Sequence, residues 1–279
     1  MRPLLYLSLA ALYFFTATSS AADRWTVGQK HPSAELVSAD QIDHTAWDRL
    51  LRKYVDKQGM VNYRGWKRDL QDQQLLDLYL QTLSRCNPGV RATKPAKLAL
   101  WINAYNAVTV KGILREYPTT SIRKHTAKLI GYNIWEDLLL VVGNKAYSLE
   151  DIEHKVLRKM EEPRIHFAIV CASIGCPPLL NEAYTAKKLE EQLASNSRRF
   201  FADSEKFQYD ASSRVLRISP ILDWFAKDFG ETQQMRLQLL SPYFPEDAQQ
   251  VGQLRDVRIR YLPYDWDLNE QKPKASDNR

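Results

Sequence analysis

Cysteine is scarce: Cys86, Cys171 and Cys176 are the only three in 279 residues. So few thiols exclude a disulfide-stapled scaffold, and an odd number leaves at least one outside any pairing within a monomer. No Cys-x-x-Cys pair, Gly-rich phosphate loop, Gly-x-Ser-x-Gly elbow or His-Glu-x-x-His pair occurs. Those absences remove the usual signatures of thioredoxin-type exchange, phosphate-loop nucleotide binding, α/β-hydrolase catalysis and zinc peptidases. There is no internal repeat, no low-complexity tract and no lipobox cysteine. The longest apolar run, Leu4 to about Ala17, falls short of the roughly 20 residues that span a bilayer.

That run follows Arg2 and ends in Thr18-Ser-Ser-Ala-Ala22, the pattern of a secretory signal peptide over 1–22. A periplasmic or secreted protein is expected, with no integral span after cleavage. The formal charge of +6 is spread among mixed acidic and basic residues, which points to solubility and away from a nucleic-acid track. Residues 23–39 read as an extended lead-in, 40–270 as a single domain and 271–279 as a polar tail.

Apolar spacing predicts helices from Asp40 or Asp43 to Tyr54, over Leu70–Leu83, and from Thr93 to Glu116, the last bounded by Pro95 and Pro118. Leu138–Val142 with Gly143-Asn144 predicts a hairpin. Ser148-Leu-Glu-Asp151 reads as a capping box opening the helix that carries Glu153 and His154. Ile165–Val170, rich in β-branched residues, predicts a buried strand. Further helices are expected over Asn181–Asp203, at Leu222–Phe225 and over Glu231–Leu240, with strands at Arg214–Ile218 and Val257–Leu262. The fold class is α+β, helices on a small, mostly antiparallel sheet.

Reactive side chains crowd the 164–180 stretch. His166, Cys171, Ser173 and Cys176 lie within eleven residues, at a strand-to-loop junction of the kind that presents sites. A thiolate nucleophile needs a neighbouring imidazole and oxyanion donors. Cys171 is the candidate nucleophile. His154 is the preferred base, because an odd separation from Cys171 turns His166 to the opposite face of a strand; His166 substitutes if the backbone bends. Glu153, Asn103 and Asn106 are candidate orienting groups, Asn103 and Asn106 sharing one helix face, although buried amides also tie down backbone. Tyr105, Ser173 and Cys176 are candidate binding positions. A Cys171–Cys176 disulfide, structural or redox-active, is the rival account of the thiols. Zinc on His154, His166, Cys171 and Cys176 fits no familiar ligand spacing, so neither metal nor cofactor is expected. A non-catalytic reading also stands, in which Trp66, Trp135, Trp224 and Trp266 line a groove for an envelope peptide or glycan over a rigid Cys171 loop.

Four motifs in order, Trp101-Ile-Asn-Ala-Tyr-Asn-Ala107, Asp151-Ile-Glu-His154 with Leu157-Arg158, His166-Phe-Ala-Ile-Val-Cys-Ala-Ser-Ile-Gly-Cys-Pro-Pro178 and Tyr264-Asp-Trp-Asp-Leu-Asn269, resemble the domain of unknown function 547 family of bacterial exported proteins. The resemblance runs from about Trp47 to Asn269. It implies a distant likeness to papain-type or transglutaminase-type cysteine enzymes, while the convergence of thiol, imidazole and amide side chains is what points to a cysteine-dependent hydrolase or acyltransferase acting on an envelope peptide or protein. The motif order, and the lack of a cysteine at the start of the Trp101 helix, depart from the papain pattern.

Overall fold

The computed structural model describes residues 24–127 and 132–272; the expected signal peptide over 1–22 and most of the expected polar tail lie outside them. Among the described residues no helix is long and apolar enough to cross a membrane. The architecture is α+β, with two three-stranded sheets.

The longest helix organises the fold. Helices α2 (Tyr63–Arg68) and α3 (Leu70–Ser84) pack beside α4 (Lys94–Glu116), and α1 (Thr45–Tyr54) packs on α2 and α3. Thr93 caps α4, its hydroxyl accepting from the Ala96 N–H, and Tyr117 turns extended before Pro118, as proline requires of its predecessor. Almost every residue of α4 from Ala96 to Leu114 is buried. Large side chains such as Ile102, Val108 and Ile113 therefore contribute about 2 kcal/mol each by burial. Helix α2 was not expected; Asn62 caps it by accepting from Gly65 N–H.

Strand β1 (Trp25–Val27) lies parallel to β2 (Leu138–Val142), which follows the short helix α5 (Ile134–Asp137) and pairs antiparallel with β3 (Lys145–Ser148). The β2–β3 turn puts Gly143 and Asn144 at φ of 55° and 69°, the geometry for which Gly and Asn are suited. The second sheet joins β4 (Phe207–Asp210) antiparallel to β5 (Val215–Ile218), and β5 parallel to β6 (Arg258–Tyr261). Each sheet is thus mixed, one parallel and one antiparallel pair, where a mostly antiparallel sheet was expected. Helix α6 (Leu189–Phe201), α7 (Ile221–Trp224), α8 (Ala226–Phe229) and α9 (Gln233–Leu240) complete the order. Asn181–Lys188, expected to be the start of α6, is not helical.

Two apolar clusters result. One surrounds α4; the other is aromatic, with Phe167, Phe200, Phe201, Phe207, Phe229 and Phe244 around β5.

One prediction fails outright. Ile165–Val170 is not a strand: Pro163–Phe167 is a 3-10 helix, and 168–172 is irregular. Side-chain amides replace the missing ladder. Asn196 donates to the Phe167 carbonyl at 2.5 Å, and Asn106 donates to Ala168 O and accepts from Val170 N–H, both at 2.9 Å. Buried backbone must find partners somewhere, and here asparagines supply them.

Candidate functional site

A cavity of about 350 Å³ opens where the two clusters meet. Its base holds Cys171 and Cys176, which form a disulfide. Trp135, Trp224, Phe225, Tyr264 and Trp266 supply aromatic walls, and Glu136, Glu150, Glu153, His154 and His166 supply polar ones.

The cysteine loop is held by the 264–270 strap. Ile174 and Gly175 N–H groups donate to the Asp267 and Asp265 carbonyls at 2.9 and 2.8 Å, and Asn269 N–H donates to Ala172 O at 3.0 Å. Gly175 is required at this crossing, because a Cβ there would lie 2.9 Å from both Asp265 O and the Tyr264 ring. Tyr264 hydroxyl thereby reaches both sulfurs, 3.3 Å from Cys171 Sγ and 3.2 Å from Cys176 Sγ. Ser173 Oγ lies 3.0 Å from Cys171 Sγ and 2.9 Å from the Tyr264 hydroxyl.

Glu153 and His154 arrive on a π-helix, Asp151–Val156, a form of helix often found at functional sites. The capping box at its start is present: Ser148 N–H donates to Asp151 Oδ2 and Asp151 N–H to Ser148 Oγ, each at 3.1 Å. Tyr105, from α4, donates its hydroxyl to Glu153 at 3.1 Å. Burial, reinforced by the Glu150 charge, pushes the Glu153 carboxyl up to about 7, against the opposing Tyr105 bond. Glu153 is therefore protonated, and a hydrogen-bond donor, in mildly acidic solution.

Both histidines belong to one ionic chain. Arg158 Nε and Nη2 grip Asp228 at 2.6 and 2.8 Å, while Arg158 Nη1 donates to His154 Nδ1 at 2.9 Å. Arginine only donates, so His154 carries its proton on Nε2, which faces Glu150 at 3.4 Å. His166 Nε2 donates to Asp228 at 2.8 Å, leaving Nδ1 buried with no partner among the described residues. Phe225 stacks on the His166 ring with centroids 4.0 Å apart. Burial lowers the His166 imidazole to about 4, so it is neutral near neutral pH. Asp228 is held below the carboxylate range by Arg158 and His166, although burial opposes them.

The candidate residues thus divide. Tyr105, Glu153, His154, His166, Cys171 and Cys176 share the cavity wall, and Ser173 lies behind it. Neither imidazole is hydrogen-bonded to Cys171, whose sulfur is bonded to Cys176. Asn103 and Asn106 do not line the cavity. Asn103 clamps Tyr184, donating to its carbonyl at 2.8 Å and accepting from its N–H at 3.0 Å, and Asn106 holds 168–170 as described. Their amides are consumed by backbone, so neither orients a ring. Trp135, Trp224 and Trp266 do line the cavity, whereas Trp66 is fully buried in the core. Asp228 and Phe225 escaped sequence reasoning, since no local pattern marks them; Arg158 and Tyr264 lay within quoted motifs without an assigned role. Among the described residues no group of three or more His, Cys, Asp or Glu is arranged to hold a metal.

Residues 90–201 match the family model described as protein of unknown function, DUF547. Over 90–201 the chain is thus similar to DUF547 proteins. No curated protein and no solved structure matches the chain. The matched DUF547 span contributes α4, the π-helix and the disulfide, while the Tyr264 strap and the Trp224–Asp228 wall come from beyond it.

Proposed function

We propose that this protein is exported and binds a short envelope glycan in the aromatic cavity. The carrying observation is that Trp135, Trp224, Trp266 and Tyr264 wall one cavity, with Trp224 48 % exposed at its edge. Exposed clustered aromatics mark ligand sites more often than accidents of packing. Trp224, Tyr264 and Trp266 are mutually packed with ring centroids 4.5 to 5.9 Å apart, so the wall is preorganised. Negative ring faces suit the weakly positive C–H faces of sugars, and Glu136 and Glu150 accept from hydroxyls. Protonated Glu153 adds a donor.

Cysteine-dependent acyl transfer is the weaker reading. It requires Cys171 to be free and an imidazole to attend it, whereas the sulfur is bonded to Cys176 and both histidines serve Arg158 and Asp228. Titration of the tryptophan emission with chitotriose and maltotriose tests the glycan reading. Saturable quenching that a thiol blocker leaves unchanged and Trp224→Ala weakens at least about tenfold supports it. Emission indifferent to both sugars, or binding unaffected by Trp224→Ala, refutes it.

A further inference from the structure

The sulfur pair is surrounded by more hydrogen-bond donors than an oxidised disulfide can use. Cys171 N–H donates to Cys176 Sγ at 3.0 Å, Tyr264 hydroxyl lies 3.2 Å and Ser173 Oγ 3.5 Å from the same atom, and both hydroxyls lie within 3.3 Å of Cys171 Sγ. Neutral sulfur is a weak acceptor. A thiolate is a charged one, and bonds to charge are about twice as strong. These donors stabilise the reduced pair more than the oxidised pair, and so favour reduction. Both cysteines line the cavity, but Cys171 is only partly covered whereas Cys176 is buried, which gives the pair an attackable and a leaving sulfur.

We propose that Cys171–Cys176 is a thiol–disulfide exchange site that oxidises dithiols of peptides or proteins in the same compartment. A substrate thiolate attacks Cys171 Sγ. A new S–S bond forms, the Cys171–Cys176 bond breaks, and its electron pair leaves on Cys176 as a thiolate met by the Cys171 N–H, Tyr264 and Ser173. The second substrate thiol loses its proton and attacks the substrate sulfur of the mixed disulfide, releasing Cys171 as thiolate. The substrate is oxidised by two electrons to a disulfide, and the pair gains two electrons and two protons from the substrate thiols. A more oxidising protein disulfide returns the pair to its starting state by the reverse steps. This activity does not depend on a glycan ligand.

The test is the equilibrium of full-length protein with glutathione redox buffers, quenched in acid, alkylated and read by mass spectrometry. The expected result is reversible two-thiol reduction at glutathione ratios that leave a buried structural disulfide intact. Tyr264→Phe and Ser173→Ala each make reduction about tenfold less favourable, one charge-assisted bond being replaced by none. Circular dichroism and the melting temperature of both oxidised variants identify loss of fold, which a purely structural role would produce without moving the equilibrium. Cys86 is an internal reference: it is a free, buried thiol, so after the quench and unfolding it takes one label at every glutathione ratio. A pair that remains oxidised at every ratio overturns the proposal, as does an equilibrium moved by less than about twofold in folded Tyr264→Phe and Ser173→Ala. Sugar titration of the oxidised protein reports on the glycan reading separately.

Discussion

Asn106 is the most informative residue to change, because one side chain holds the backbone that leads into the cysteine loop. Asn106→Ala removes two hydrogen bonds and strands the Ala168 carbonyl and Val170 N–H, in a segment 0 to 7 % exposed. Each unsatisfied buried group costs about 1–3 kcal/mol. Alanine returns only about 0.6 kcal/mol as the better helix former. The net loss is about 2–5 kcal/mol, read from the urea midpoint at constant slope. Asn106→Asp sharpens the test. At neutral pH its carboxylate still accepts from Val170 but faces the Ala168 carbonyl oxygen, and the charge is buried. When protonated, the acid donates to that carbonyl again. Its pKa is raised in the folded state, so the stability it contributes is present at low pH and lost as pH rises through that value. Asn106→Asp is therefore destabilised at pH 7 and recovers part of the loss relative to wild type at pH 4–5. Asn103→Ala serves as the matched control, losing a similar pair of bonds to Tyr184 without loosening 168–170. A loss below about 1 kcal/mol for Asn106→Ala, or no acid recovery of Asn106→Asp, refutes the claim that this amide replaces a strand ladder.

Glu153→Gln tests the buried acid: because its folded value of about 7 stands above the ordinary 4.5, wild type carries this contribution in full below 4.5 and loses it as pH rises through 7. Partial exposure to the cavity limits the effect, so the variant gains about 1–2 kcal/mol on wild type between pH 5 and 8, measured by paired urea melts. His44 and His166 act in the opposite direction, both lowered by burial to about 4 from 6.5; they contribute stability above pH 6.5 that is lost as pH falls through 4, so the difference between variant and wild type is the quantity to read. Trp224→Ala changes stability by less than about 1 kcal/mol, whereas Trp66→Ala, fully buried against Tyr54 and Trp47, costs about 3–5 kcal/mol; thermal melts separate the two. Glu161 ends a 3-10 turn at φ 53°, ψ 48°, so Glu161→Gly raises stability by about 0.5–1 kcal/mol by relieving the left-handed conformation.

Much of the scaffold was legible because its signals are local. Thr93, Pro95 and Pro118 bound α4, and Gly143-Asn144 turns β2 into β3, each by the conformations those residues favour. Ile165–Val170 misled because β-branched apolar sequence reports burial, and burial alone does not choose a strand. The decision lay with Asn106 and Asn196, remote in sequence, which satisfy the backbone without a neighbouring strand. Asn103 and Asn106 were read as site residues because a polar group in an apolar helix has two explanations, and only its partners separate them. Tyr105, Glu153, His154, His166, Cys171 and Cys176 do converge. What the sequence did not convey is that Asp228 and Arg158, far apart along the chain, occupy both imidazoles.

The account stands or falls on whether the cavity takes a sugar. Isothermal titration of the oxidised, full-length protein with chitotriose and maltotriose, beside Trp224→Ala, is the direct measurement. The account predicts one saturable site for at least one of the sugars, weakened about tenfold or more by loss of the Trp224 ring. Heats indistinguishable from dilution for both sugars, or an affinity unchanged in Trp224→Ala, would contradict it.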